Sequence, residues 1–351
     1  GLIILWSLVQ VQHALPVTGI QEKDKACQRQ AFCFWMGTCV AALALTGASL
    51  LLSLSMYSRR SLLLSGSVSA VMAGLTPLGE ALARNAPVPT SKMPVLFIGH
   101  GSPMNAVSSN AFTHTLSSWG SKLAKPAAIL VVSAHWLTRG ITSVTVNDKP
   151  RTIHDFSGFP AVLQEMQYPA PGHPAMATEA AALVRTGKAQ LTDQWGLDHG
   201  TWTVLHHLFP QANVPVFQVS IDYDQPAAYH YAVGRELAVL RDKGVLIIGS
   251  GNIVHNLRAT VRGAPEGLMA ARDWAQQFDD VVKKALLARD DQALVNYQQL
   301  HASARMAVPT PDHYWPLLYA LGAAQGSAVP MQVHEGFQSG TLSMRCLQFG
   351  A

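Results

Sequence analysis

From Met93 onward, short runs of β-branched and apolar residues alternate with longer stretches in which apolar side chains return every three or four positions. Residues 95–98, 128–132, 143–146, 214–220 and 245–248 read as strands, and small or polar residues close them. Their near-continuous apolar character is that of a sheet buried on both faces. Residues 174–185, 226–240 and 268–288 carry the three-to-four spacing of amphipathic helices. The alternation predicts one α/β domain over residues 93–351, a mixed and mostly parallel sheet covered by helices.

The first 92 residues have a different pattern. Arg59 and Arg60 precede a mildly apolar run over residues 62–75, and Ala81 and Ala83 follow as small residues. This is the outline of a twin-arginine signal with its cleavage site. It predicts that residues 56–92 are a signal and tether and that the twin-arginine machinery exports the folded domain to the periplasm, the alternative being a cytoplasmic enzyme. Residues 34–56 lack charge over about twenty positions, enough for a membrane span. Met56 stands where such a signal should start, so residues 1–55 read as translated upstream sequence.

Composition narrows the function. The net charge of +4 is not gathered into any Lys/Arg cluster able to follow a phosphate backbone, which excludes nucleic acid as a partner. Of four cysteines only Cys346 lies in the predicted domain, so neither an internal disulfide nor a thiolate zinc site is available there. Any metal must use histidine and carboxylate, and the fourteen histidines are the anomaly to explain.

Ligands of open α/β sheets bind beyond the carboxyl ends of the strands. His100 follows Val95-Leu-Phe-Ile-Gly, His135 follows Val131-Val-Ser-Ala, and a Gly249-Ser250-Gly251 turn after the last strand presents His255. His199 and His313 each follow an aspartate, a carboxylate able to fix an imidazole tautomer. In its glycine-rich loop His199 suits an acid/base, and His313, between prolines, a further ligand. His154 and Asp155 open a proline-stiffened aromatic loop that runs to His173 and are candidates for holding substrate.

Taken together, Gly99-His-Gly-Ser-Pro-Met104, Ser133-Ala-His-Trp136, Thr152-Ile-His-Asp-Phe156, Leu197-Asp-His-Gly-Thr-Trp202, Gly249-Ser-Gly-Asn-Ile-Val-His-Asn-Leu-Arg258 and Pro309-Thr-Pro-Asp-His-Tyr314 strongly resemble the class III extradiol ring-cleavage dioxygenases, nearest the 4,5-DOPA dioxygenase-like branch. The resemblance implies a catechol such as DOPA opened beside its two hydroxyls by O2, at one divalent ion per chain, Fe(II) for oxygenase activity or Zn(II). It carries metal ligation to His100 and His135, either ligation or base catalysis to His255, and the family's other two site histidines to His199 and His313, the latter read as a further ligand. His199 is assigned the base, with His255 its competitor. The sequence departs from the two-histidine, one-carboxylate triad of Fe(II) oxygenases, because no glutamate stands in a comparable motif. A zinc hydrolase using the same histidines, and a non-catalytic protein with a closed four-histidine site, are the alternatives.

Overall fold

The computed structural model describes residues 92–264 and 267–350, which fall within one compact unit, Val88–Ala351. The predicted signal and the segment before it lie outside the described residues. Among those described, no helix is long and apolar enough to cross a membrane.

In chain order the strands are β1 (Val95–Gly99), β2 (Ala128–Ser133), β3 (Leu137–Thr138), β4 (Thr142–Thr145), β5 (Ala189–Thr192), β6 (Val216–Gln218), β7 (Ile221–Asp222), β8 (Val245–Gly251), β9 (Leu268–Met269), β10 (Met331–His334), β11 (Phe337–Gln338), β12 (Leu342–Ser343) and β13 (Cys346–Phe349). The helices are α1 (Ala111–Gly120), α2 (Ala161–Glu165), α3 (Pro174–Leu183), α4 (His199–Leu208), α5 (Ala227–Leu237), α6 (Asp273–Ala288), α7 (Asp291–Val295), α8 (Ala304–Ala307) and α9 (Trp315–Ala323).

Six strands form the main sheet in the order β10-β13-β1-β8-β2-β6. The pairs β1–β8, β8–β2 and β2–β6 are parallel, while β13 runs antiparallel to both β1 and β10. Successive side chains of a strand point to opposite faces. Val95, Phe97, Leu130, Val132 and Ile247 therefore pack on one side with Val233 of α5, Phe278 of α6 and Leu317 of α9. Leu96, Ile98, Ile129, Val131 and Ile248 pack on the other with Phe112 of α1 and Trp202 of α4. Helices on both faces of a mostly parallel sheet are the predicted α/β architecture.

Three local readings change. Residues 249–251 are not a turn but the last part of β8, paired with β1 and β2. Their glycines serve close approach instead: a Cβ on Gly251 would lie 2.2 Å from the His313 carbonyl oxygen, so the chain before α9 can rest on the strand only if no side chain intervenes. The helix expected over 268–288 begins at Asp273, with Leu268–Met269 taken into β9. His199 lies not in a loop but at the first turn of α4, whose N-cap is Asp198: its carboxylate accepts from the Thr201 amide at 3.2 Å.

Candidate active site

The parallel core aims β1, β2 and β8 at one edge of the sheet. His100 follows β1 directly and His135 stands two residues beyond β2, so two parallel strands on either side of β8 deliver the two rings to one place. Their Nε2 atoms are 3.1 Å apart. His313 arrives from the segment before α9, anchored by the Asn252 amide donating to its carbonyl at 2.8 Å. One ring nitrogen from each of His100, His135 and His313 lies within 4.8 Å of the others. His135, Asp155 and His199 form a second such group sharing one ring with the first.

The outer nitrogens of two rings meet carboxylates. His313 Nδ1 contacts Asp312, its neighbour in sequence. His199 Nδ1 lies 2.9 Å from Asp155 Oδ2, while the His199 amide donates to Asp155 Oδ1 at 2.9 Å, so one carboxylate holds both the ring and the first turn of α4. Asp198 does not serve His199 despite adjacency. It is fully buried and accepts from Ser133 Oγ at 2.6 Å and Gln218 Nε2 at 2.7 Å.

Electrostatics follow from this enclosure. Burial, reinforced by neighbouring imidazoles, drives His100, His135 and His255 well below the ordinary histidine range. Burial alone would raise Asp155 and Asp312, but the imidazoles of His199 and His313 outweigh it and hold both carboxyls below the usual range. The result is a cluster of imidazole nitrogens bordered by two carboxylates, a donor set suited to a divalent cation.

The structure thus gathers His100, His135, His199, His255 and His313, with Asp155, in one place. His255 falls outside both three-residue groups; its ring lies against His313. His154 is not aimed at the cluster. Its Nε2 is 2.9 Å from the Met166 carbonyl and its ring meets Phe156 and Trp202, as in a loop packed by its own aromatics. Asp155 is engaged by His199 rather than presented to solvent. Sequence reasoning passed over Ser133 and Ser250, whose hydroxyls bond within the cluster; as polar ends of apolar strands they carried a signal.

A family model described as the catalytic LigB subunit of aromatic ring-opening dioxygenase matches residues 90–345. The chain belongs to that family. It is an extradiol aromatic ring-opening dioxygenase, which sets aside the hydrolase and the non-catalytic metal holder. A protein of Escherichia coli K12 named 4,5-DOPA dioxygenase extradiol is 44% identical over 79% of this chain and all of its own length. One of the same name from Beta vulgaris is 38% identical over 72% of this chain and 95% of its own. The crystal structure of an uncharacterized protein from E. coli K12 superposes with a TM-score of 0.64 at 41% identity, covering 74% of this chain and all of that one. As in other dioxygenases of this family, the reaction takes a small aromatic substrate and O2 at a metal ion, for which the histidine cluster is the candidate site.

Proposed function

We propose that this dioxygenase opens a catechol, with DOPA the first candidate, at an Fe(II) held by His100, His135 and His313. The observation that carries the reading is the convergence of one nitrogen from each of these rings within 4.8 Å. The donors fit such an ion. A metal–imidazole bond is roughly 2.0–2.1 Å long, so two nitrogens 3.1 Å apart can share one cation. The carboxylate on His313 Nδ1 directs that ring's other lone pair inward. Iron is chosen over zinc because zinc has no redox chemistry. DOPA is chosen because two relatives bear its name.

When bound, the ion supplies a place where both catechol oxygens and O2 meet, and a path for electrons between them. The chain does the rest. His199, with Nδ1 tied to Asp155, is the ring that accepts a hydroxyl proton and returns it later. His255, stacked on His313, stands as the second proton carrier. Phe156, edge-on to His199 with centroids 5.6 Å apart, keeps water from that side of the ring. We further propose export to the periplasm through the twin-arginine route, supported by the Arg59-Arg60 pattern.

Anaerobic loading with Fe(II) or Zn(II), then O2 uptake and ring-cleavage absorbance with DOPA and simpler catechols, tests the activity. Turnover with Fe(II) alone, lost in His100→Ala and His135→Ala, is expected. Absence of O2 uptake with every catechol would overturn the reading.

A further inference from the structure

Ser133 and Ser250 face each other in register at the ends of the adjacent strands β2 and β8. Both side chains are fully buried and both reach the first turn of α4. Ser133 Oγ donates to the N-cap carboxylate of Asp198. Ser250 Oγ lies 2.5 Å from the Gly200 carbonyl oxygen and 3.0 Å from His100 Nδ1.

A hydroxyl has one hydrogen. A carbonyl oxygen only accepts, so an oxygen–oxygen contact of 2.5 Å requires the Ser250 hydrogen between the two atoms. The contact with His100 must then take its hydrogen from the ring, and Nδ1 is the only atom able to supply it. With the proton fixed on Nδ1, the lone pair of a neutral His100 sits on Nε2, the nitrogen that faces His135 Nε2.

We infer that Ser250 is a positioning residue that selects the Nδ1–H tautomer of His100, by spending its own hydrogen on the Gly200 carbonyl and accepting the ring's. The consequence for metal binding rests on the reading of His100 as a ligand; the tautomer itself does not. Because Gly200 follows His199, the same hydroxyl ties the helix bearing the proposed base to the ring bearing the proposed ligand. Ser133 makes the matching tie to α4 through Asp198, but its hydrogen bond with His135 is to the backbone amide, at 3.3 Å, rather than to the ring. It is therefore the natural control.

The experiment is 15N NMR of the histidine side chains in the metal-free wild type, Ser250→Ala and Ser133→Ala, with Zn(II) affinity measured by chelator competition. In the wild type His100 is expected to show a protonated Nδ1 and a bare Nε2. Ser250→Ala should give a tautomer mixture and a Zn(II) Kd raised roughly 10- to 100-fold, the usual effect of losing an outer partner of a ligand. Ser133→Ala should leave the His100 tautomer as it is. A wild-type His100 protonated on Nε2 overturns the proposal even if neither variant folds, and so does an unchanged tautomer in Ser250→Ala. A tautomer that responds as expected in a protein that binds no Zn(II) or Fe(II) upholds the role of Ser250 and defeats the metal site of the proposed function instead.

Discussion

His255 lies flat against His313, the ring centroids 3.5 Å apart and the planes within 3° of parallel. Only one of the two belongs to the three-nitrogen group, so contact between them does not make their roles equal. His313→Ala should abolish tight metal binding. His255→Ala should leave the metal Kd within a few-fold of wild type while turnover falls on the order of 10²- to 10⁴-fold, as for a lost proton carrier. Chelator competition beside steady-state kinetics separates the outcomes. Metal loss in His255→Ala would return that residue to the ligands.

Asp155→Asn removes the charge that holds His199 but leaves a side chain of the same shape. Since Asp155 bonds both the ring and the amide of His199, the asparagine can serve only one of the two contacts in its original sense. Turnover should fall roughly 10- to 100-fold with KM little changed. A change confined to KM would place Asp155 on the substrate instead.

A Cβ on Gly200 would lie 2.5 Å from Ser133 Oγ and 2.9 Å from the His135 ring. Gly200→Ala should push His135 away from His100, weakening metal binding at least tenfold and lowering stability by about 1–3 kcal/mol through overpacking. Urea titration and chelator competition report the two losses separately.

His230 is fully buried, its Nδ1 3.1 Å from the Tyr319 hydroxyl, and burial pushes its pKa down to about 3 from the ordinary 6.5. Between those values the unfolded chain holds a proton that the folded chain rejects. This share of stability is complete above about pH 6.5 and is lost progressively as the pH falls toward 3. His230→Gln should therefore show a smaller drop in Tm between about pH 7 and about pH 4.5 than the wild type. An equal drop would show that His230 adds nothing to acid sensitivity.

Removing the metal should lower Tm without unfolding the domain, because the hydrophobic layers on both faces of the sheet do not depend on it. Metal present at a hundred times its Kd adds about 2.7 kcal/mol to stability. A thermal scan with and without EDTA measures the difference, and an unchanged Tm would mean that no ion binds the native state.

The sheet's centre was legible because β1, β2 and β8 are continuous apolar runs, and His100 and His135 because they stand just past two of them. The antiparallel edge was not. β10 is Met-Gln-Val-His and half exposed, a pattern that alternation rules barely register, and β13 is only four residues long. Proximity in sequence also misled. Asp198 precedes His199 but caps its helix, and the carboxylate that reaches the ring comes from Asp155, 44 positions earlier. No spacing rule finds such a partner, because the loop between them sets the distance.

The placement of β13 between β10 and β1 bears on the order in which the protein is made. The strand that precedes His100 is among the first of the domain to leave the ribosome, yet one of its two edges stays bare until Cys346–Phe349 emerge to pair with it. His313, too, arrives late in synthesis. Once β8 has emerged to join β1 to β2, His100 and His135 can meet before their third companion is made, and a premature stop that removes only the last strand would leave β1 with an open edge, a template for pairing with another chain.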